Sequence, residues 1–202
     1  MQQRAEKTRS NILKTARELF SQYGFSGTSV DSIAQKAGAN KQRIYAYFGS
    51  KKKLFEAVLL EVFSESAEMF SQFAAGIEPG KNDITFELSQ YYWDLHLQKP
   101  EFRRLLAWAN LENAIDPAAL SAARQQENEC LRRWFTAEQS AGRIRRGIAF
   151  ESWLLMVMGT AYFASSNAKT LRNTLGESFF SIDSRKQRSS DLALLFSSIN
   201  IS

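Results

Sequence analysis

Apolar residues recur along most of the chain at the i, i+3, i+4, i+7 spacing of one helical face, and no segment reads as a strand. The spacing predicts a first helix from about Gln3 to Tyr23, with Ile12, Leu13, Ala16, Leu19, Phe20 and Tyr23 on one side. Gly24 stops it as a left-handed C′ residue, and Phe25 packs back on Phe20. Thr28 and Asp31 have capping-box-like spacing and open a second helix, Val30–Ala37, which ends at Gly38. Asn40 caps a third, Lys41–Phe48, whose inward residues are Ile44, Tyr47 and Phe48. Gly49 closes it, and Ser50 caps a fourth from Lys51 to about Ala75, apolar along Leu54, Val58, Val62, Phe63 and Phe70.

Beyond a break at residues 76–82, helices are predicted over about Asp83–Gln98, Pro100–Asn113 and Pro117–Ser140. Both prolines fit the N1 position, Asp116 caps the third of these, and Gly142 ends it. An apolar helix from Gly147 to about Asn167 and a last one from Arg185 to Ile199 flank a polar connection, Ala168–Ser184. The expected architecture is all-α, with about nine helices.

Composition narrows the chemistry. With 202 residues, 44% hydrophobic and 23% charged, the chain is ordinary globular material and has enough length to bury a core. One cysteine, Cys130, allows no intrachain disulfide, and a lone histidine, His96, allows no His-pair metal site. The most apolar stretch, Trp153–Ala164, is 12 residues long, short of the roughly 18 to 20 that a membrane span needs. No secretory leader follows the first basic residues, so a soluble, cytoplasmic protein is expected, with no membrane partner. No Gly-rich phosphate loop, nucleophile elbow or HExxH string is present, which disfavours an enzyme, and no cofactor is implied.

Charge is unevenly placed. Residues 1–53 hold 11 Lys and Arg against 3 Asp and Glu, while residues 54–202 hold 15 against 18. A basic N-terminal module on a mildly acidic body points to a polyanionic partner for the small part. Val30–Ala37 and Lys41–Phe48, joined by a tight glycine-containing turn, have the form of a helix-turn-helix, whose second helix enters the major groove. Lys41 and Arg43 stand in the first turn of one helix, and Lys51, Lys52 and Lys53 in the first turn of the next. Each cation there opposes the helix dipole at about 0.3–1 kcal/mol. A phosphate at each N-terminus reverses the sign of every one of these interactions.

The string from Thr28 to Leu54, with Ile33-Ala34, Ala37-Gly38, Tyr45, Tyr47-Phe48 and Lys51, resembles the tetracycline-repressor (TetR) family of bacterial regulators. Leu19-Phe20 and Gly24-Phe25 ahead of it also fit. Ala39 stands where Val or Ile is common and Asn40 where Ser is common; Gln42 and Arg43 replace smaller residues, which leaves the operator sequence unreadable by analogy. The resemblance is specific over about the first 60 residues and implies a DNA-binding domain over 1–50 and an effector-binding and dimerisation domain over 51–202. It implies Tyr45 and Lys51 on phosphates, with Thr28 as cap and phosphate contact, and Lys41, Gln42, Arg43 and Ala46 towards base edges. Arg can bind guanine O6/N7 bidentately, and Gln the N6/N7 edge of adenine.

The resemblance further implies double-stranded operator DNA and a small-molecule effector as partners, and a homodimer through the last two helices. More apolar surface on Gly147–Asn167 and on the final helix than one monomer needs agrees with pairing. Candidate pocket residues are Phe63 and Phe70, Trp93 and His96, Phe102 and Trp108, Trp134, and Met156 and Tyr162. Apolar walls with a few polar groups suit an apolar or aromatic ligand, and core filling explains each aromatic equally well. The leading expectation is a repressor released by its effector, with the fourth helix as a lever. The alternative is a DNA-binding structural protein that answers to no effector.

Overall fold

A computed structural model describes residues 2–112 and 117–197. Among these residues there are ten α-helices and no named strand: α1 (Gln2–Gly27), α2 (Val30–Ala37), α3 (Lys41–Phe48), α4 (Lys51–Ala75), α5 (Ile84–Gln98), α6 (Pro100–Glu112), α7 (Pro117–Ser140), α8 (Phe150–Ser166), α9 (Ala168–Leu175) and α10 (Ile182–Phe196). A single 3-10 turn, Glu177–Phe180, lies between α9 and α10. The chain forms two compact units, residues 1–67 with 100–124 and residues 68–99 with 125–202, so α4 and α7 each contribute to both.

In the first unit, Ile12, Ala16 and Phe20 of α1 are fully buried, as are Ile33 of α2, Ile44 of α3, and Leu54, Phe55 and Val58 of α4. The rings of Phe20, Phe25 and Phe55 meet, with centroids 4.9 and 5.4 Å from Phe55. The first helical run breaks at Gly24, as its sequence predicts. Its backbone turns through φ 73°, ψ −179°, a region open almost only to glycine, and helical turns resume as far as Gly27. A Cβ at Gly24 would lie 2.7 Å from the Trp108 ring and 2.5 Å from a Glu112 carboxylate oxygen, so α6 approaches through the space that the missing side chain leaves.

Two polar attachments fix α6 along α1. Arg17 donates from Nε to Glu101 of α6 at 2.6 Å and also pairs with Glu65 and, at 3.5 Å, Glu61 of α4. This places its guanidinium among three carboxylates, and hydrogen bonding to Glu65, then Glu101, raises its already high pKa further. At the other end, Glu112 accepts from the backbone N–H and the hydroxyl of Ser26, both at 2.7 Å.

The second unit is built around α5, which packs on α8 and α10. Trp153 is buried and donates its indole N–H to Thr85 at 3.0 Å, while Ser189 donates to Ser89 at 2.9 Å and accepts from Gln90 at 2.6 Å. These bonds satisfy polar groups that burial would otherwise strand. The Tyr92 hydroxyl donates to the buried Glu127 at 2.8 Å.

The expected five helices and polar connection of the C-terminal half need two corrections. Residues 168–184 are not a connection but contain α9 and the 3-10 turn, and α10 begins at Ile182, with Ser181 as its N-cap accepting from Ser184 N–H at 3.2 Å. α8 opens at Phe150 and not at Gly147, with Ala149 at the cap and no side-chain cap bond. Asp116, the expected cap of α7, lies outside the described residues. No helix among the described residues is long and apolar enough to cross a membrane.

Candidate nucleic-acid interface and ligand-binding region

The helix-turn-helix begins with Ser29, which caps α2 by accepting from Ser32 N–H at 2.9 Å, while Ser32 reaches back to the Ser29 backbone. The box is therefore Ser29/Ser32 and not Thr28/Asp31. Thr28 is 2% exposed, and its hydroxyl faces the carbonyls of Gly24 (2.8 Å) and Leu19 (3.1 Å), where it closes the bend after α1. Gly38 then adopts φ 61°, ψ 33°, and its N–H returns to Ala34 and Gln35, which turns the chain sharply into α3. Asn11 of α1 donates to the Ala37 carbonyl at 2.7 Å and secures the same corner.

Asn40 caps α3 by accepting from Arg43 N–H at 2.8 Å. Ile44 and Phe48 are buried, Tyr47 is half-buried, and Lys41, Gln42, Arg43, Tyr45 and Ala46 are exposed on the remaining surface. One helix thus divides into an anchored side and a free side carrying two cations, an amide and a phenol. Lys41 is not an uncompensated charge: its ammonium pairs with Asp31 of α2 at 3.0 Å, and this hydrogen bond raises its pKa. Arg43 has no such partner among the described residues.

Ser50 caps α4 by accepting from Lys53 N–H at 3.1 Å. Lys51 lies with Nζ 4.4 Å from the centroid of Phe25, and desolvation lowers its pKa, partly opposed by Glu112. The ring steers the ammonium as a cation–π platform. Lys52 and Lys53 are exposed. Sequence reasoning passed over Arg9, whose guanidinium stands 5.0 Å above the Phe48 ring; its position in the basic run at the start of the chain was the available signal.

The nine candidate pocket residues are divided between the two units. Phe63, Phe102 and Trp108 belong to the first unit, with Phe63 and Phe102 edge to face at 5.4 Å and Trp108 against Gly24. In the second unit, Phe70 and Trp134 join Phe73 and Tyr91 in an aromatic cluster with centroid distances of 4.6 to 6.2 Å. His96 is buried against Tyr162 at 5.5 Å. Met156 is 50% exposed on α8. Trp93 alone of the nine lines a cavity of about 370 Å³, with Leu171 and Leu175 of α9 and Phe179 of the 3-10 turn among its other walls. Those three residues were missed because the stretch that carries them was read as a loop.

A glycine-turned helix pair with an exposed, cationic second helix, flanked by lysines at the next helix start, defines a DNA-binding helix-turn-helix protein. Residues 12–58 match the family described as "Bacterial regulatory proteins, tetR family", and residues 86–193 match "Tetracyclin repressor-like, C-terminal domain". The chain is 33% identical over 176 residues to the HTH-type transcriptional repressor NicS of Pseudomonas putida, a match that covers 86% of this chain and 82% of that protein. Its fold is shared by a TetR family transcription regulator from Marinobacter aquaeolei (TM-score 0.70, 20% identity, 96% of each chain). It is shared too by Salmonella enterica GusR (TM-score 0.67, 22% identity, 93% of this chain and 96% of that one). The chain belongs to the TetR family and is a DNA-binding transcriptional regulator.

Proposed function

We propose that this protein is a repressor that holds a two-half-site operator as a homodimer and releases it when a small-molecule effector binds within residues 51–202. The observation that carries the DNA reading is the two-sided α3, buried through Ile44 and Phe48 and exposed through Lys41, Gln42, Arg43, Tyr45 and Ala46. On this reading Arg43 and Gln42 read base edges, while Tyr45 and Lys51 contact phosphate. Thr28 acts indirectly, by holding the bend that presents Ser29 and the α2 N-terminus, where backbone N–H groups suit an anion. Repression is supported by the likeness to NicS, whose name is that of a repressor.

Pairing is supported by the apolar residues left exposed on α8 and α10: Leu155, Met156, Phe163, Leu194 and Leu195. Two copies joined there would present two recognition helices to half-sites about 34 Å apart. Effector release is the family's habit, and α4 is the covalent route for it, because its first turns belong to one unit and its last turns to the other. Selection of bound duplexes from a random pool tests the DNA reading. Recovery of a palindromic motif supports it, and sequence-independent recovery refutes it.

A further inference from the structure

The start of α1 stands clear of the core that buries the rest of the helix. Ile12 is fully buried, whereas among residues 3–11 only Ala5 and Thr8 are half-buried and the others are exposed. Burial holds such an extension weakly, and a short helix without packing is marginal. Its first turn contains Arg4 and no acid. Residues 3–14 hold four cations, Arg4, Lys7, Arg9 and Lys14, against one carboxylate, Glu6.

Two contacts fix the roll of this helix on the helix-turn-helix. Asn11 donates to the Ala37 carbonyl at 2.7 Å, next to the turn glycine, and Arg9 stands 5.0 Å above the Phe48 ring of α3. Arg4, Lys7, Asn11 and Lys14 recur at i, i+3, i+7, i+10 and so share one face of α1. That stripe crosses the corner between α2 and α3 at Asn11, with Lys14 on one side of it and Arg4 and Lys7 on the other. Its three cations are exposed, and none forms an ion pair among the described residues. Glu6 is one position from Lys7 and two from Arg4, so it does not face them, while Arg4 and Lys7, three apart, repel each other.

An α-helix with its side chains is about 10–12 Å across and the minor groove about 6 Å wide, so this extension can lie along the backbone of a duplex but cannot enter that groove. Arg4 is about 10 Å further along α1 than Asn11, the length of roughly three base pairs. We propose that Arg4 and Lys7 form a phosphate clamp beyond the recognition helix, each taking one backbone phosphate of the operator beside the half-site that α3 reads. The inference rests on the operator reading above and adds to it a contact that reads no base. Asn11 and Arg9 position the helix, and the duplex supplies the counter-charge that the fold withholds from Arg4 and Lys7.

The test uses the full-length protein and a duplex carrying the motif recovered from the random pool between long flanks. Affinity is measured by fluorescence anisotropy over a range of NaCl concentrations, and phosphate contacts by ethylation interference. Arg4→Ala with Lys7→Ala should lower the salt slope by about 1.8 for each protomer bound, two phosphates at about 0.9 each, and should leave the selected motif unchanged. Two phosphates per half-site should lose their sensitivity to ethylation. Arg4→Lys with Lys7→Arg should keep both the slope and the phosphate pattern. Arg146→Ala with Lys169→Ala removes the same charge from exposed positions of the second unit and should leave the slope as it is. An equal loss in that control assigns the effect to the field of the whole chain and overturns the clamp. Loss confined to A·T-rich flanks assigns Arg4 and Lys7 to minor-groove readout and overturns it as well. A wild-type protein that selects no motif removes the operator reading and the clamp together. A wild-type protein that selects one, with slope and phosphate pattern untouched by Arg4→Ala with Lys7→Ala, removes the clamp alone.

Discussion

A few side chains decide what the protein can read. Arg43, exposed and without an ion-pair partner among the described residues, is the residue of α3 best placed to commit its fork to a base. Arg43→Ala should relax sequence preference and cost about 1–3 kcal/mol on the preferred operator, and an unchanged selected motif would remove it from the readout. Lys51→Ala should weaken binding to all duplexes alike and reduce the salt dependence by about one phosphate, a slope change of roughly 0.9. Loss confined to one sequence would contradict that assignment. Gly24→Ala should lower stability by about 1–3 kcal/mol, measured by denaturant titration, because alanine enters a glycine-only backbone region and meets Trp108. At this scale the caps at Asn40 and Ser50 and the turn at Gly38 were legible, since each is a strong local signal. The cap at Ser29 was not. Thr28 and Ser29 are adjacent and chemically equivalent as caps, and what separates them is the burial of Thr28 against carbonyls of α1, a tertiary fact.

Among the elements, the long amphipathic helices were legible because many apolar positions vote on one period. The short α9 was hidden. Leu171 and Leu175 have helical spacing and Gly176 follows at φ 84°, but five of the eight residues are Lys, Thr, Arg or Asn, and so short a segment repeats its apolar face too few times to outweigh a loop reading. The start of α8 was misplaced for a related reason: Ala149 offers no capping side chain, so nothing in the sequence marks the boundary. The last helix carries the next prediction. Leu194 is 48% exposed beside Leu195 at 62%, and Leu194→Glu should leave the monomer folded while splitting the dimer. Sedimentation should then show a 22.9 kDa species and operator affinity should collapse. A wild-type protein that sediments only at that mass would already dispose of the pairing.

For the whole molecule, the sequence reading divided the chain once, at residue 50, whereas the compact units interleave. Composition and charge report where a basic module ends, not which distant segment packs on it, so the return of α6 to α1 was beyond the reach of a single sequence. Arg17 is the centre of that return, joining α1 to α4 and α6 through Glu61, Glu65 and Glu101. Arg17→Met should leave three carboxylates without their cation. Since those carboxylates are about a third exposed, the loss should be about 1–3 kcal/mol, below that of a fully buried pair. A melting temperature unchanged by Arg17→Met would show the network to be decorative.

The close seat of Trp108 on Gly24, with Glu112 holding Ser26, bears on how such regulators can be recombined. A chimera cut at residue 50, with this recognition head fused to a foreign body, would strip α1 of the helix that covers it and leave a hole where an indole belongs. Carrying residues 100–124 across with the head would keep that surface covered, and so would a recipient whose own sixth helix offers a tryptophan and a glutamate at matching places. The head is therefore portable only together with a segment encoded some fifty residues downstream of it, and the natural unit of exchange is discontinuous in the gene.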